Sequence, residues 1–219
     1  MSPEAAGQVA ATAAERPSTP RAPNTRDRLV EAACEVFGEK PFGSARIAEI
    51  SARAGVSTGS FYSYFDSKEA LFGVVAARAL DDLHSFPWRD PDNPDGNPVR
   101  DVAYGIRHYF LTCLRHRVVA QSIEHVRLVD DEVRMIRRGT LMRGAKRIER
   151  WVAALQDEGI CDPGVDSWFT ALALQSMTVN LAYDQLVHRD QPQDIDPLVD
   201  AVTPIWARAV GLERWLRAL

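Results

Sequence analysis

An all-helical fold in two unequal parts is what the 219 residues predict, and three observations carry it. Between Arg46 and Glu69, reading RIAEISARAGVSTGSFYSYFDSKE, two short helical patterns meet at Gly55-Val56-Ser57, the arrangement of a helix-turn-helix. A stretch of four prolines and one glycine, FPWRDPDNPDGNP, interrupts the chain at 86–98. Beyond it run long segments of helical period with no strand signature. The domains expected are a tail at 1–23, a helix-turn-helix domain with a connector helix at 24–85, a linker at 86–98, and a larger helical domain at 99–219.

Residues 1–23 are rich in Ala, Pro, Ser and Thr, carry prolines at 3, 17, 20 and 23, and hold almost no large apolar side chain. Such a segment cannot bury enough surface to offset its ordering entropy, so a disordered tail is expected. Asn24 then caps a helix with Asp27 at its third position. Leu29, Ala32, Ala33, Val36 and Phe37 follow at the spacing of one apolar stripe. Pro41 and Gly43 end it. Ile47, Ile50, Ser51 and Ala54 repeat the period on a shorter element, which needs the first helix as its platform.

Gly55 falls just past that element, where a left-handed residue costs least without a β-carbon. Ser57 caps the next helix, whose apolar members Phe61 and Phe65 lie four apart, while Thr58, Gly59, Ser60, Tyr62, Ser63 and Tyr64 fill the rest. So many hydroxyls and so little charge suit a groove better than a solvated face. Gly59 lowers helix propensity by ~1 kcal/mol relative to Ala, which points to close approach rather than stability. This stretch alone implies binding to duplex DNA. Asp66 to Glu69 form a D-x-x-E capping box for the connector, with Leu71, Phe72, Val75, Ala79 and Leu83 as its stripe. Lys68 opposes the helix dipole there, which makes sense if a phosphate faces it.

After the proline-rich break, helices are expected over 99–115 and 118–128. Asp130, Asp131 and Glu132 open a long helix buried through Val133, Ile136, Leu141, Ile148, Trp151, Val152 and Leu155 and closed by Gly159 and Pro163. Its basic run, Arg134, Arg137, Arg138, Arg143, Lys146, Arg147 and Arg150, reads as a solvated face. Two further helices span about 164–188 and 195–215. The first is apolar around most of its circumference and must be covered on two sides, one by its own core and the other by a second copy of the chain.

With 26 basic and 30 acidic residues the net charge is −4, so any DNA-facing surface must come from local placement of cations. Cys34, Cys113 and Cys161 are odd in number and form no C-x-x-C pair, which reads as three reduced thiols in a cytoplasmic protein. No apolar run approaches the ~18 to 20 residues that span a bilayer. His108, His116 and His125 share no recognised ligand spacing with a Cys or carboxylate, so no metal and no cofactor is expected. No G-x-G-x-x-G, P-loop, H-E-x-x-H or G-x-S-x-G is present, which argues against an enzyme.

Over 28–75, LVEAACEVFGEK followed by IAEISARAGVSTGSFYSYFDSKEALF resembles the DNA-binding signature of the TetR family of transcriptional regulators. The C-terminal half is similar only in layout and in the fragment MTVNLAYDQL. The resemblance implies about nine helices, a homodimer closed by a four-helix bundle of the last two long helices, and a small-molecule pocket in the C-terminal domain. It places Ser57, Thr58, Gly59, Ser60 and Tyr62 near bases and phosphates, and Arg46, Tyr64 and Lys68 on phosphates. The chain departs from the family at Pro41, where Gly is usual, and at Ala45, where a phosphate-binding Thr is common. Ser44 or Arg46 would substitute.

The expected function is therefore a ligand-responsive homodimeric regulator, a repressor in sense, bound to a near-palindromic operator whose half-sites lie roughly 34 Å apart. The expected pocket residues are Tyr104, His108, Phe110, Met135, Met142, Trp151, Trp168, Phe169 and Met177, which suit an apolar effector. The dimer surface is expected to use Trp168, Leu172, Ser176, Val179, Tyr183, Ile205, Trp206 and Ala209. The alternative is an all-helical dimeric adaptor or small-molecule-binding protein without DNA function.

Overall fold

Asn24 begins the first helix as its side chain accepts from Asp27 N at 3.0 Å, satisfying one of the four donors a helix start leaves open. The computed structural model describes residues 24–83, 85, 89–189, 191 and 194–218. The tail expected at 1–23 and residues 86–88 of the linker lie outside them.

Among the described residues there are nine α-helices and no strand: α1 Thr25–Glu39, α2 Ile47–Arg53, α3 Thr58–Tyr62, α4 Lys68–Asp82, α5 Pro98–Arg115, α6 Arg117–Val126, α7 Asp131–Asp157, α8 Ser167–Ala182 and α9 Ile195–Ala209. The stripe read from α1 is buried whole, with Val30 added on its flank. Phe37, Phe42 and Phe72 cluster with centroids 4.9 to 5.7 Å apart, one pair stacked, one edge to face and one tilted, and so join α1 and α4. The connector α4 packs on α1 on one side and on α6 and α7 on the other. It belongs to both parts of the molecule. In the C-terminal part α7 lies along α8, and α5 along α9.

Besides shifts of one or two residues at α5 and α6, four boundaries differ from those the sequence suggests. Ser67, not Asp66, caps α4, its hydroxyl accepting from Ala70 N at 3.0 Å. The α8 pattern begins at Ser167 rather than Gly164, because Asp162 Oδ1 takes the Gly164 N–H at 2.8 Å and holds a turn against the helix. Past Ala182 the helix widens into a π turn, Tyr183–Val187, whose last carbonyl accepts from Arg117 Nε at 3.2 Å and from the Gln121 amide. The α9 pattern stops at Ala209, since Gly211 at φ +77° lets the chain turn where a β-carbon would sit 2.8 Å from Asp162 Cβ. The basic face of α7 is also not uniformly solvated. Arg137 is largely buried, its Nε 3.2 Å from Glu124 and its guanidinium 4.9 Å over the Tyr183 ring.

Candidate nucleic-acid interface

The reading pair is short. With seven and five residues, α2 and α3 cannot hold themselves in water, so their geometry is imposed from α1 and α4. Phe61 is fully buried and Phe65 nearly so, and these two anchor α3. Its opposite side presents Thr58, Gly59, Tyr62 and Ser63, all exposed. Tyr62 stands on the edge of the Phe61 ring, centroids 5.2 Å apart, and is 55% exposed, far more than an aromatic residue chosen for packing. Ser57 caps α3 by accepting from Ser60 N at 3.1 Å, and its Oγ lies 2.9 Å from Ser60 Oγ. The Ser60 hydroxyl is thereby oriented and half-buried.

Polar ties lock the pair onto its platform. The Arg28 guanidinium in α1 donates to the carbonyls of Ala54 and, at 3.0 Å, Gly55, closing the C-terminus of α2 where a cation is favoured. Gly55 has φ +66°, and a β-carbon there would meet Arg28 Nη2 at 2.8 Å, so both the turn and the clamp require glycine. Lys40 pairs with Glu49 at 2.6 Å, and Arg53 forks onto Glu39 at 2.6 and 3.0 Å. This fork holds the Glu39 carboxyl below its usual range and the Arg53 guanidinium above its own.

Of the nine residues expected at DNA, Ser44, Arg46, Ser57, Thr58, Gly59, Tyr62 and Tyr64 are exposed. Lys68 is placed differently. Its ammonium donates to the carbonyls of Phe42 at 2.9 Å and Ala45 at 3.0 Å, and lies 4.2 Å over the Phe42 ring. The cation that looked unfavourable at a helix start is thus satisfied inside the protein, and one N–H of the three is left for an outside acceptor. The sequence reading overlooked Arg28, a clamp whose partners are backbone carbonyls and leave no side-chain pattern. It also overlooked Arg26, which sits 5.2 Å over the Phe65 ring beside α3. Arg26 and Arg46 are exposed, and no carboxylate of the described residues forms an ion pair with either.

The residues expected in a pocket are scattered in burial. Phe110 is fully buried, Tyr104, His108, Met142, Trp151, Trp168 and Met177 are partly covered, and Met135 and Phe169 are 68% and 67% exposed. Those last two line no interior of the single chain: α7 and α8 turn them outward. Met177 borders a cleft of about 600 Å³ with Arg137, Glu124 and His188. The expected dimer set also divides. Val179, Tyr183 and Trp206 are buried within the chain itself, Trp206 Nε1 donating to Thr178 Oγ1 at 3.0 Å, so they have no surface to offer a second copy. Ser176, Ile205 and Ala209 are exposed, Trp168 and Leu172 partly so. Phe169 joins this outward set.

Among the described residues no helix is long and apolar enough to cross a membrane, and no group of three or more His, Cys, Asp or Glu could hold a metal ion.

Residues 29–75 match the model of a family described as bacterial regulatory proteins, tetR family. Over 75 residues the chain is 41% identical to the HTH-type transcriptional repressor DhaR of Mycobacterium sp. (strain GP1), covering 34% of this chain and 38% of that protein. At this level of identity the matches span less than half the length of the curated relatives. Across 211 residues it is 19% identical to the HTH-type transcriptional regulator EthR of Mycobacterium tuberculosis, covering 96% of this chain and 98% of EthR. A solved tetR-family transcriptional regulator from Streptomyces coelicolor superposes with a TM-score of 0.64 at 18% identity, over 84% of this chain and 79% of that one, a likeness of fold.

Proposed function

We propose that the chain, whose residues 29–75 match the tetR-family model, acts as a homodimeric, ligand-responsive transcriptional repressor on a near-palindromic operator. The carrying observation is the exposed hydroxyl and aromatic face of α3, Thr58, Gly59 and Tyr62, set on a buried Phe61 and Phe65. Arg46, Arg26, Tyr64 and the remaining N–H of Lys68 set the register on phosphates, while Thr58, Ser60 and Tyr62 meet base edges. Hydroxyls and a ring favour thymine methyl contact and groove shape over bidentate guanine reading.

Dimer formation on α8 and α9 is supported by an exposed apolar set: Phe169 and Ala173 on the first, Ala201, Ile205 and Ala209 at four-residue spacing on the second. Two reading heads on one axis would meet half-sites roughly 34 Å apart. An effector works only through different affinities for the DNA-competent and incompetent states, and α4, shared by both parts, is the element it would bias. Such a protein is a DNA-binding regulator rather than an enzyme, and works in the cytoplasm.

A gel shift with DNA from upstream of its own coding region, challenged by unrelated duplex, tests the reading. A competition-resistant complex that Tyr62→Ala removes is expected. The rival reading, an all-helical adaptor or ligand-binding dimer, predicts no such complex.

A further inference from the structure

Two cavities meet at His116. The outer one is a cleft of about 490 Å³ where α1 and α4 face the α5–α6 junction, with Cys34, Val75, Arg78, Arg115 and Val119 among its walls. The inner one, about 10 Å³, lies between Leu80 and Leu83 of α4, Cys113 of α5, Ala120 and Ile123 of α6, and Tyr183. Ala79 and His116 belong to both. The inner space holds about one water at most, and its polar partners are few. Small side chains, Ala79 and Ala120, leave it a narrow slot that admits the tip of an alkyl chain and no more, so the length of such a chain belongs in the outer cleft along Val75, Ala79 and Val119.

The charges of the cleft are unevenly matched. Asp82 is saturated: its Oδ2 lies 2.8 Å from His116 Nε2 and 3.2 Å from Arg115, and Oδ1 accepts from Ser85 at 3.2 Å. These partners hold the Asp82 carboxyl below its usual range, His116 first among them. Asp81 is paired with Arg143 at 2.6 Å. Arg78 is the lining cation without such an answer. It is exposed, and no carboxylate of the described residues forms an ion pair with it. It touches the Cys34 thiol, which burial pushes up in pKa and the guanidinium pulls back down.

We propose that this cleft binds an amphipathic alkyl monocarboxylate, its carboxylate on Arg78, its chain along Val75, Ala79 and Val119 of the outer cleft, and its terminal methyl at the mouth of the slot beside His116. This rests on the reading that an effector biases α4, and it assigns that effector a chemistry and an entry. A methyl end wedged between Ala79 and Ala120 presses α4 away from α6. Because α4 begins at Lys68, which holds the carbonyls in front of α2, the shift is delivered to the reading head.

The test is calorimetric titration of the full chain, without DNA, by octanoate and by octan-1-ol. Saturable octanoate binding is expected, weakened about tenfold or more by Arg78→Gln, whose site is exposed and leaves the fold intact, with octan-1-ol insensitive to that change. Ala120→Val, checked by its melting curve, should weaken both probes by filling the slot. No saturable octanoate binding, or equal affinity in wild type and Arg78→Gln, overturns the assignment. Operator affinity is then measured separately with octanoate present: octanoate that binds as stated but leaves it unchanged keeps the site and removes its effector role.

Discussion

The Lys68 ammonium donates to the Ala45 carbonyl at 3.0 Å, so the first residue of α4 is bonded to the chain just ahead of α2. Together with the Phe42 carbonyl and ring it makes one rigid joint between the connector and the reading head. Through these contacts a movement of α4 bears directly on the chain at Ala45, next to Arg46.

Lys68→Ala removes two hydrogen bonds and a cation over a ring, and should cost about 1–3 kcal/mol of stability. In a chain of this size that lowers the melting temperature by several degrees. DNA affinity should fall for every sequence alike. If the variant melts as wild type does, the joint is not what the distances indicate.

The two glycines of the reading head should answer oppositely to alanine. Gly55→Ala forces a left-handed backbone and a collision with Arg28, and should destabilise by about 1–2 kcal/mol or more. At Gly59 a β-carbon meets nothing closer than Ser57 Oγ at 3.7 Å, so Gly59→Ala should leave stability equal or raised by up to ~1 kcal/mol while weakening DNA binding. Thermal melts and a binding isotherm on each variant separate the two roles.

Much of this was legible in the residues. The α1 stripe, the Asn24 and Ser57 caps, the Gly55 turn and the inward Phe61 and Phe65 all follow from local spacing, and each stands as read. Periodicity tells which side of a helix is buried but not by what. That is why Trp206 and Val179, apolar on the two helices expected to face a partner, turned out to face their own chain, and why Arg137 went inside against Tyr183. Clamps that end on backbone carbonyls, as Arg28 and Lys68 do, have acceptors in every residue and therefore no signature. Boundaries moved where a single side chain captured a backbone group, Ser67 at Ala70 and Asp162 at Gly164.

For the dimer surface, Ile205→Asp and Phe169→Asp are expected to yield monomer in light scattering after gel filtration with melting nearly unchanged, since both residues are exposed in the single chain. Trp206→Phe should instead lose about 1–2 kcal/mol, because Trp206 Nε1 donates to Thr178 inside the fold. A Trp206→Phe variant that is stable yet monomeric would contradict the burial.

The Asp82 carboxyl, depressed by His116 and also by Ser85 and Arg115, sets a pH dependence of definite sign. A group whose folded pKa lies below its unfolded value near 3.8 adds stability above that value, lost as the pH falls through the folded one. The stability gap between wild type and Asp82→Asn should therefore be open at about pH 5 and close below about pH 4. Its size should stay under about 1 kcal/mol, since the pair is partly screened by solvent. Urea melts across that range read it directly.

Fluorescence anisotropy of labelled upstream duplex, titrated with wild type, Tyr62→Ala and Arg46→Ala over a salt series, bears most directly on the central claim that the Arg46–Lys68 stretch reads DNA. The expected result is specific binding by wild type and its loss of about 1–3 kcal/mol with Tyr62→Ala at unchanged stability. Arg46→Ala should weaken specific and unrelated duplex alike and lower the salt slope by about one. Equal affinity of wild type for specific and unrelated duplex, or indifference to both substitutions, would contradict it.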